Sequence, residues 1–486
     1  MNIKALMNIS RILGYLLMPF SATMLPPVFV ALWYHENTPL PFYTATMTTL
    51  TLGFLLWFPF RHHKHEIQSR EAFLIVVLLW LGLALTGALP FIFFENPHMH
   101  YIDAIFETVS GLTTTGTTIL SKLDTLPHSI LYYRQQLQFI GGGGIIVLSI
   151  AILPMLGVGG MQLFRAEMAG PFKEDKLTPR IAQTAKMLWL IYVGLTILCA
   201  LSYWAGGMDA FDAIGYSFST ISTGGFGTHD ENFSKFQNPL LEYLCVVFML
   251  LGAVNFSLHF AALRRGNLLH YWQDPEFKTY IKFWFWMILL IGSTLFYFHV
   301  FERTDSTLTK TFFQVTSFIT TTGFFSAHFN NWPTFVPVLL VFLGLLGGCA
   351  GSTAGGIKII RLLILKKQGG REIQRLIHPN GHYIIKLGYR PLQDQTLDAI
   401  LGFFCIFVAI FVFLLLVLIG MGLDPLTAFA TLAASISNTG IGLNCHADNF
   451  KSFSDPIKML LSIAMLAGRL ELFTLLVLLT PHYWRY

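Results

Sequence analysis

The chain has 486 residues, of which 54% are hydrophobic and only 12% are charged, about half of the charged fraction of a typical soluble protein. Together with a mean hydropathy of +0.60, this composition excludes a large soluble enzyme and indicates a polytopic membrane protein. The 31 Lys and Arg residues exceed the 26 Asp and Glu residues too slightly to indicate a nucleic-acid partner. The five cysteines form neither a disulfide framework nor a CxxC metal site.

Repeated apolar runs have the length, about 20 residues, that a helix needs to cross a hydrocarbon core. Ten membrane spans are predicted, with approximate bounds of 12–33, 43–60, 73–94, 134–158, 186–207, 240–263, 281–301, 334–362, 398–421 and 457–480. An even number of spans places both termini on one side, and most Lys and Arg residues fall in the loops of that side. The positive-inside rule therefore predicts cytoplasmic termini. The first apolar run lacks an A-x-A cleavage signal, so a retained helix is expected rather than a signal peptide.

Four similar segments lie between paired spans after residue 70, and each is too short and too rich in small residues to cross a bilayer. These repeat segments 1 to 4 read DAIFETVSGLTTTGTT from Asp103, DAIGYSFSTISTGGFG from Asp212, KTFFQVTSFITTTGFF from Lys310 and TAFATLAASISNTGIG from Thr427. Aligned without gaps, they place Gly116, Gly225, Gly323 and Gly440 in register. Such duplication is typical of a membrane unit of helix, re-entrant segment and helix. The predicted units are an N-terminal two-helix hairpin, residues 1–70, and four repeats at 71–165, 166–268, 269–378 and 379–486.

Each repeat segment begins with about ten residues compatible with a helix and ends in Thr, Ser, Asn and Gly, which favour irregular backbone. Irregular backbone at membrane depth persists only where it is buried in protein or lines water. Four such segments around one axis would present a ring of carbonyls that replaces the hydration shell of a cation, and glycine permits the positive φ this needs. The absence of an acidic ring in these motifs favours a monovalent cation over a divalent one. The candidate cation-binding residues are Thr114, Thr115, Gly116, Thr223, Gly224, Gly225, Thr321, Thr322, Gly323, Asn438, Thr439 and Gly440. The alternative is close helix packing around small residues.

A glycine-rich loop, residues 347–356, is predicted to interrupt the span 334–362 near mid-membrane. Its candidate gating residues are Gly347, Gly348, Gly351, Ser352, Thr353, Gly355 and Gly356. The alternative is again close packing of helices, although the glycines lie on all sides of the run. A phosphate-binding loop is disfavoured because no Lys-Ser or Lys-Thr pair follows.

Arg469 falls near the centre of the predicted span 457–480, where a charge costs on the order of 2.5–3.5 kcal/mol. Glu471 is two residues away and does not share its helical face. Arg469 is therefore expected to point at a pore, at carbonyls of the glycine-rich loop or at repeat segment 4. A purely structural role, capping loop carbonyls, is the alternative.

The four repeat segments, the run from Gly347 to Lys358 and the phrase AGRLELF from Ala467 to Phe473 resemble the Trk/Ktr/HKT superfamily of potassium transport proteins, in its bacterial TrkH/TrkG type of pore-forming subunit. The resemblance implies a potassium-selective pore of the bacterial inner membrane, a homodimer and a cytosolic nucleotide-binding regulatory subunit. It also implies that the glycine-rich loop is a gate and that Arg469 lies in the ion pathway. Relatives with Ser at the position of Gly116 are associated with sodium transport.

The expected fold is all-α, with two N-terminal transmembrane helices followed by four pseudo-symmetric repeats of helix, pore helix and helix around a central pore. The repeats are not uniform, because Lys310 and Thr427 replace the opening Asp and Asn438 replaces a threonine. The pore should thus be only pseudo-fourfold.

Two other functions stay open: a membrane-embedded enzyme acting on a lipid-linked substrate, and a sodium- or proton-coupled cation symporter. No catalytic residues and no cofactor beyond a potassium ion are predicted. The basic stretch Lys366 to Arg375 could contact anionic lipid or a cytosolic partner.

Overall fold

A computed structural model describes residues 3–36, 38–63, 69–95, 98–151, 177–388, 390–443 and 449–485. Within these ranges the chain is overwhelmingly helical, and its one sheet is a two-residue antiparallel pair, β1 (Lys386–Leu387) with β2 (Arg390–Pro391). The predicted all-α class is confirmed. The predicted boundary between repeats 1 and 2, at residues 165 and 166, and the end of the predicted span 134–158 lie outside the described residues.

The chain begins with a hairpin in which α1 (Ile3–Ala22), extended by α2 (Pro26–Trp33), packs along α3 (Pro39–Trp57). Helices α1 and α3 can approach this closely because residue 14 is a glycine: a Cβ at Gly14 would lie 2.4 Å from the Gly53 carbonyl oxygen. The remaining helices, in chain order, are α4 (Ser69–Gly87), α5 (Leu89–Phe93), α6 (Tyr101–Leu112), α7 (His128–Ala151), α8 (Leu177–Ala205), α9 (Ala210–Ile221), α10 (Pro239–Gly252), α11 (Phe256–Arg265), α12 (Leu269–Gln273), α13 (Pro275–Tyr297), α14 (Thr304–Ile319), α15 (Phe335–Leu346), α16 (Ile359–Ile377), α17 (Asp394–Gly420), α18 (Pro425–Ile436), α19 (Asp455–Arg469), α20 (Phe473–Leu479) and α21 (Pro481–Arg485).

Helix starts follow local chemistry where a capping side chain precedes the apolar run. Asp209 accepts a hydrogen bond from the Phe211 amide at 3.1 Å, and Asp424 accepts one from the Leu426 amide at 3.2 Å. These side chains satisfy amides that have no partner within the helix. Both caps begin helices of repeat segments, α9 and α18, and so fix where those helices enter the fold.

Among the described residues, five helices are long and apolar enough to cross a membrane, and two bent pairs raise that number to as many as seven. The predicted spans at 240–263 and 457–480 are not continuous helices. The first is split into α10 and α11, bent by 95°, and the second into α19 and α20, bent by 114°. Asn255 caps α11 by accepting from the Ser257 amide at 2.8 Å, while Glu471 and Leu472 adopt positive φ and stop α19. Apolar composition continues across both breaks, so hydropathy did not predict them.

The end of α19 changes the expected position of Arg469. It is the last residue of this helix and not the middle of a continuous span. The predicted interruption of the span 334–362 is present, because α15 ends at Leu346 and α16 begins at Ile359.

The apolar cores lie between neighbouring repeats. One joins the hairpin and repeat segment 1, through Phe20 and Phe106, to repeat 4, through Leu461. A second joins repeat segments 3 and 4, and a third joins repeat segments 2 and 3. Each repeat thus buries apolar surface against the next, which brings the four repeat segments to the middle of the molecule.

Candidate functional site

The four repeat segments share one local structure. Each short helix, α6, α9, α14 or α18, ends two residues before a residue with positive φ: Thr114 at 53°, Thr223 at 51°, Thr321 at 54° and Asn438 at 54°. The next amide in each segment donates back to the helix at 2.8 to 2.9 Å, in the pairs Thr115 to Ser110, Gly224 to Ser219, Thr322 to Ser317 and Thr439 to Ala434. The gapless alignment of the sequence therefore corresponds to equivalent backbone geometry.

The aligned glycines close a ring. A Cβ built on each would overlap the carbonyl oxygen of the following repeat segment, at 2.2 Å for Gly116 on Gly224, 2.2 Å for Gly225 on Thr322, 2.0 Å for Gly323 on Thr439 and 2.1 Å for Gly440 on Thr115. The contacts run from segment 1 to 2, 2 to 3, 3 to 4 and back to 1, so the four segments surround one axis. The four aligned glycines have φ values of 78° to 87°, a region that residues with a side chain rarely adopt. Eight of the twelve candidate cation-binding residues make these contacts, and each of the other four directly precedes one of the carbonyl residues: Thr114, Thr223, Thr321 and Asn438.

Hydroxyl pairs support three of the four segments. The Oγ atoms lie 2.7 Å apart in Thr113 and Thr115, 2.7 Å in Thr320 and Thr322, and 2.8 Å in Ser437 and Thr439. Segment 2 has Gly224 instead, where the Gln138 amide of α7 donates to the Gly224 carbonyl at 2.6 Å. This difference makes the ring pseudo-fourfold.

Asn438 provides a second departure from fourfold symmetry. Its Nδ2 donates to Thr115 Oγ1 at 2.9 Å and to the Met465 carbonyl at 3.0 Å. The amide thus ties segment 4 to segment 1 and to α19, which a threonine at this position is too short to do.

The ring opens on one side into a cavity of about 250 Å³. Its floor contains the four ring glycines, and its walls include Arg134, His229, Asp230 and Asn232. His229 bridges two carboxylates, with Nδ1 2.5 Å from Asp124 and Nε2 3.1 Å from Asp212. The hydrogen bond to Asp212 raises the pKa of His229, and Lys235 lies 4.0 Å from Asp124. The cavity mouth therefore carries titratable charge.

Sequence reasoning missed three ion pairs around the repeat helices. Arg134 Nε lies 2.7 Å from Glu107, Lys310 Nζ 2.7 Å from Glu242 and Lys458 Nζ 2.6 Å from Asp103. Lys310 and Asp103 occupy the same aligned position with opposite charges, and each has a partner of the opposite sign. The departure of Lys310 from the repeat pattern is thus compensated by Glu242. A Glu inside a half-apolar helix, such as Glu107, was the available signal.

The glycine-rich loop lies at the other end of the ring, against the helix ends of segments 2, 3 and 4. Thr353 Oγ1 lies 2.9 Å from the carbonyl oxygens of both Ile221 and Gly252, and its hydroxyl can donate to either. The Gly355 amide donates to Thr321 Oγ1 at 2.6 Å, and a Cβ at Gly355 would lie 2.0 Å from the Ser437 carbonyl oxygen. The loop covers three of the four segments at close contact.

Both sides of the loop are anchored to neighbouring helices. The buried Glu276 carboxylate accepts from the amides of Ala350, at 2.8 Å, and Ile360, at 3.2 Å. The Cys349 amide donates to the Ala253 carbonyl at 2.9 Å, beside Gly348. The turn is compact, because a Cβ at Gly347 would lie 2.2 Å from the Gly355 carbonyl oxygen and one at Gly356 would lie 2.7 Å from Gly347.

The other predicted loop residues complete this turn. The Gly351 carbonyl accepts from the Phe256 amide at 3.0 Å, and Ser352 Oγ donates to the Cys349 carbonyl at 2.6 Å. All seven predicted loop residues therefore belong to one anchored structure beneath the ring.

Arg469 joins the loop to the opposite side of the ring. Its Nη1 donates to the Thr353 carbonyl at 2.8 Å and its Nη2 to the Gly141 carbonyl at 3.2 Å. The side chain is 3% exposed, so these carbonyls replace water around a buried charge. Glu471 instead pairs with Arg361, at 2.5 Å. The predicted contact of Arg469 with carbonyls of the glycine-rich loop is thus present.

No group of three or more His, Cys, Asp and Glu side chains positioned to hold a metal ion occurs within the described ranges. The polar groups that converge on the axis are carbonyls, hydroxyls and amides. In a helical membrane protein, a closed ring of such groups is typical of the class of cation transport proteins.

The comparisons with known proteins identify the family. The family profile TrkH, described as a cation transport protein, matches residues 41–486. The chain is 51% identical over 477 residues to the Trk system potassium uptake protein TrkH of Escherichia coli K12, covering 98% of this chain and 99% of that protein. It is 38% identical over 485 residues to the Trk system potassium uptake protein TrkG of the same organism, covering all of both chains.

A solved structure agrees with this assignment. The crystal structure of the potassium transporter TrkH from Vibrio parahaemolyticus matches with a TM-score of 0.93 and 47% identity, and the match covers 100% of both chains. The chain therefore belongs to the TrkH family of cation transport proteins. The resemblance to the TrkH/TrkG type is confirmed, and the protein is a membrane transport protein and not an enzyme.

Proposed function

We propose that the protein moves potassium ions across the bacterial inner membrane through the ring formed by the repeat segments. The observation that carries this proposal is the closed cycle of contacts in which each ring glycine meets a carbonyl of the next segment. The potassium uptake named for the relatives supports the choice of ion.

The oxygen atoms available in the ring are suitable ligands for a weakly hydrated monovalent cation. Carbonyl dipoles can replace the hydration shell of potassium, whereas divalent ions generally require carboxylates. Four helices also end at the ring, and the carbonyl ends of helices carry partial negative charge. Both contributions stabilise a cation without holding it through a fixed charge.

The glycine-rich loop and Arg469 act as the gate in this proposal. The loop lies directly beneath segments 2, 3 and 4, and Arg469 adds a buried positive charge next to Thr353. A fixed positive charge in a low-dielectric conduit raises the barrier for another cation. Potassium passage therefore requires the loop and Arg469 to move.

Shortening the loop tests the gate. Deleting several residues of 347–356 should give a folded protein that conducts more freely or no longer responds to its regulator. If the shortened protein is still opened and closed like the wild type, the loop is not the gate.

The proposed orientation has both termini in the cytoplasm, with the 250 Å³ cavity facing outward and the loop facing inward. The distribution of Lys and Arg supports this orientation. Two copies of the chain would form the assembly, each with its own pore. A cytosolic nucleotide-binding subunit would regulate opening.

Cation flux by the purified protein in liposomes tests the function. Rubidium or potassium should enter faster than sodium, and equal rates would refute a potassium pore.

Repeating the assay with an imposed sodium or proton gradient distinguishes coupled symport from a channel. Uptake against the potassium gradient, driven by either ion, would establish coupled symport, whereas uptake that only follows the potassium gradient would establish a channel.

A further inference from the structure

Segment 2 of the ring is built differently from the other three. In segments 1, 3 and 4 the residue whose carbonyl meets the neighbouring glycine is a threonine, and its hydroxyl lies 2.7 to 2.8 Å from the hydroxyl at the helix end. Segment 2 has Ser222 at the helix end, but Gly224 follows in place of the threonine. Its carbonyl nevertheless lies in the ring, where a Cβ on Gly116 would approach it to 2.2 Å.

Gln138 occupies the position of the missing side chain. Its Nε2 donates to the Gly224 carbonyl at 2.6 Å, and its Oε1 accepts from the Phe226 amide at 3.2 Å. A Cβ on Gly224 would lie 2.4 Å from the Gln138 Cδ, so the glutamine fills the volume that a threonine would need. The amide thus holds segment 2 on both sides of the ring glycine Gly225.

We propose that Gln138 is a positioning residue that sets the selectivity of the ring by fixing the Gly224 carbonyl. This inference rests on the proposed potassium pore. Gln138 is fully buried, so water does not compete for its two hydrogen bonds. Without them the Gly224 carbonyl can rotate or retreat, and the ring loses one oriented dipole on one side. A ring with a displaced carbonyl contracts more easily around sodium, which is smaller than potassium.

Gln136 provides a control that distinguishes an effect on the ring from a general effect on the stability of helix α7. Gln136 lies on the same helix, is also buried, and donates to the Thr23 carbonyl of the hairpin at 2.6 Å. It does not hydrogen-bond to the ring. The variants Gln138→Met and Gln136→Met each retain side-chain volume and remove one glutamine amide. Their comparison isolates the effect of the ring contact.

The experiment measures rubidium and sodium flux in liposomes for these two variants. Gln138→Met should lower the rubidium-to-sodium ratio about tenfold, the effect expected for one buried hydrogen bond to a ring carbonyl. Gln136→Met should keep the wild-type ratio. If both variants lower total flux and leave the ratio unchanged, Gln138 is only structural and the proposal is overturned.

A comparison of single and double variants at Gln138 and Gly224 provides the second test. Gly224→Thr alone should disturb the ring, because its Cβ overlaps Gln138. The double variant Gln138→Ala with Gly224→Thr should recover the ratio to within about threefold of wild type, since the new hydroxyl can pair with Ser222 as Thr439 pairs with Ser437. A double variant that folds and discriminates no better than Gln138→Ala alone would overturn the proposal.

The outcomes also separate this inference from the proposed function. A wild-type protein without preference for rubidium over sodium would refute the potassium pore itself. A selective wild type with an equally selective Gln138→Met variant would refute only the role of Gln138. If Gln138→Met does not fold, as judged by thermal unfolding in detergent, the double variant still decides between the two outcomes.

Discussion

Replacing the ring glycine of segment 1, Gly116→Ser, should reduce the preference for potassium over sodium. The serine Cβ would lie 2.2 Å from the Gly224 carbonyl oxygen, whereas Cβ atoms in proteins essentially never come within 3.0 Å of another heavy atom. One of the two groups must therefore move by about 0.8 Å, the difference between these distances. The positive φ of Gly116 adds strain of about 1–3 kcal/mol for a residue with a side chain.

This displacement should change selectivity more than folding. A loss of about 1.4 kcal/mol in the difference between potassium and sodium binding corresponds to a tenfold loss of discrimination. We expect a change of that order, because the displaced Gly224 carbonyl would no longer match the other three carbonyls of the ring. The strain is local and smaller than the stability of most domains, so the variant should still insert and fold.

Competitive uptake of potassium against sodium, in cells that lack other potassium importers, measures the effect. Gly402→Ser is the matched control, since Gly402 lies on α17 and a Cβ there meets no atom within 4 Å. That control should discriminate like the wild type. Equal discrimination by wild type and Gly116→Ser would show that Gly116 is not part of the filter, and no discrimination in either would refute the potassium assignment.

Three other variants test charges around the ring. Arg469→Ala should raise rubidium flux in liposomes, because it removes a buried positive charge beneath the ring; unchanged flux in a folded variant would leave Arg469 a capping role only. The hydrogen bond with Asp212 raises the pKa of His229 above the ordinary value of a histidine. When the external pH rises through that raised pKa, the positive charge and its contribution to stability are lost, the carboxylates of Asp124 and Asp212 lose their positive partner, and the KM for rubidium should fall. His229→Gln should abolish this fall in KM with rising pH, and a KM profile like that of the wild type would exclude His229 as the titrating group. Glu107→Gln should lower stability by about 3–5 kcal/mol, seen as an earlier thermal transition in detergent, since it leaves Arg134 charged and buried without its carboxylate; an unshifted transition would contradict that reasoning.

The ring could be predicted from the sequence because its geometry is local. A helix end, one residue of positive φ and a glycine at fixed spacing recur in each repeat segment, and the gapless alignment placed these positions in register. The side chain that supports segment 2 could not be predicted in this way. Gln138 lies on a different helix, and nothing in the sequence distinguishes it from the neighbouring Gln135 and Gln136.

The bends in the helices also escaped prediction, for a different reason. The break after Arg469 depends on positive φ at Glu471 and Leu472, residues that have no local preference for it. Glu471 is held by its ion pair with Arg361, which is more than a hundred positions away in the chain. Tertiary contacts therefore override an apolar sequence that is compatible with a continuous helix.

The proposed gate residues form one unit that reaches all four sides of the ring. The glycine-rich loop contacts segments 2, 3 and 4, whereas Thr114 Oγ1 of segment 1 has no hydrogen-bond partner among the described residues. Arg469 reaches that fourth side through the carbonyl of Gly141, whose backbone packs against the end of α6.

Because Arg469 also holds the loop through Thr353, releasing the loop and releasing Arg469 should be the same event. The effects of Arg469→Ala and of a shortened loop on flux should accordingly be strongly non-additive, with the combined variant conducting little more than the stronger single one. Rubidium flux in liposomes, measured for both single variants and for their combination, tests this non-additivity. Fully multiplicative increases would mean that the loop and the arginine obstruct the pathway independently.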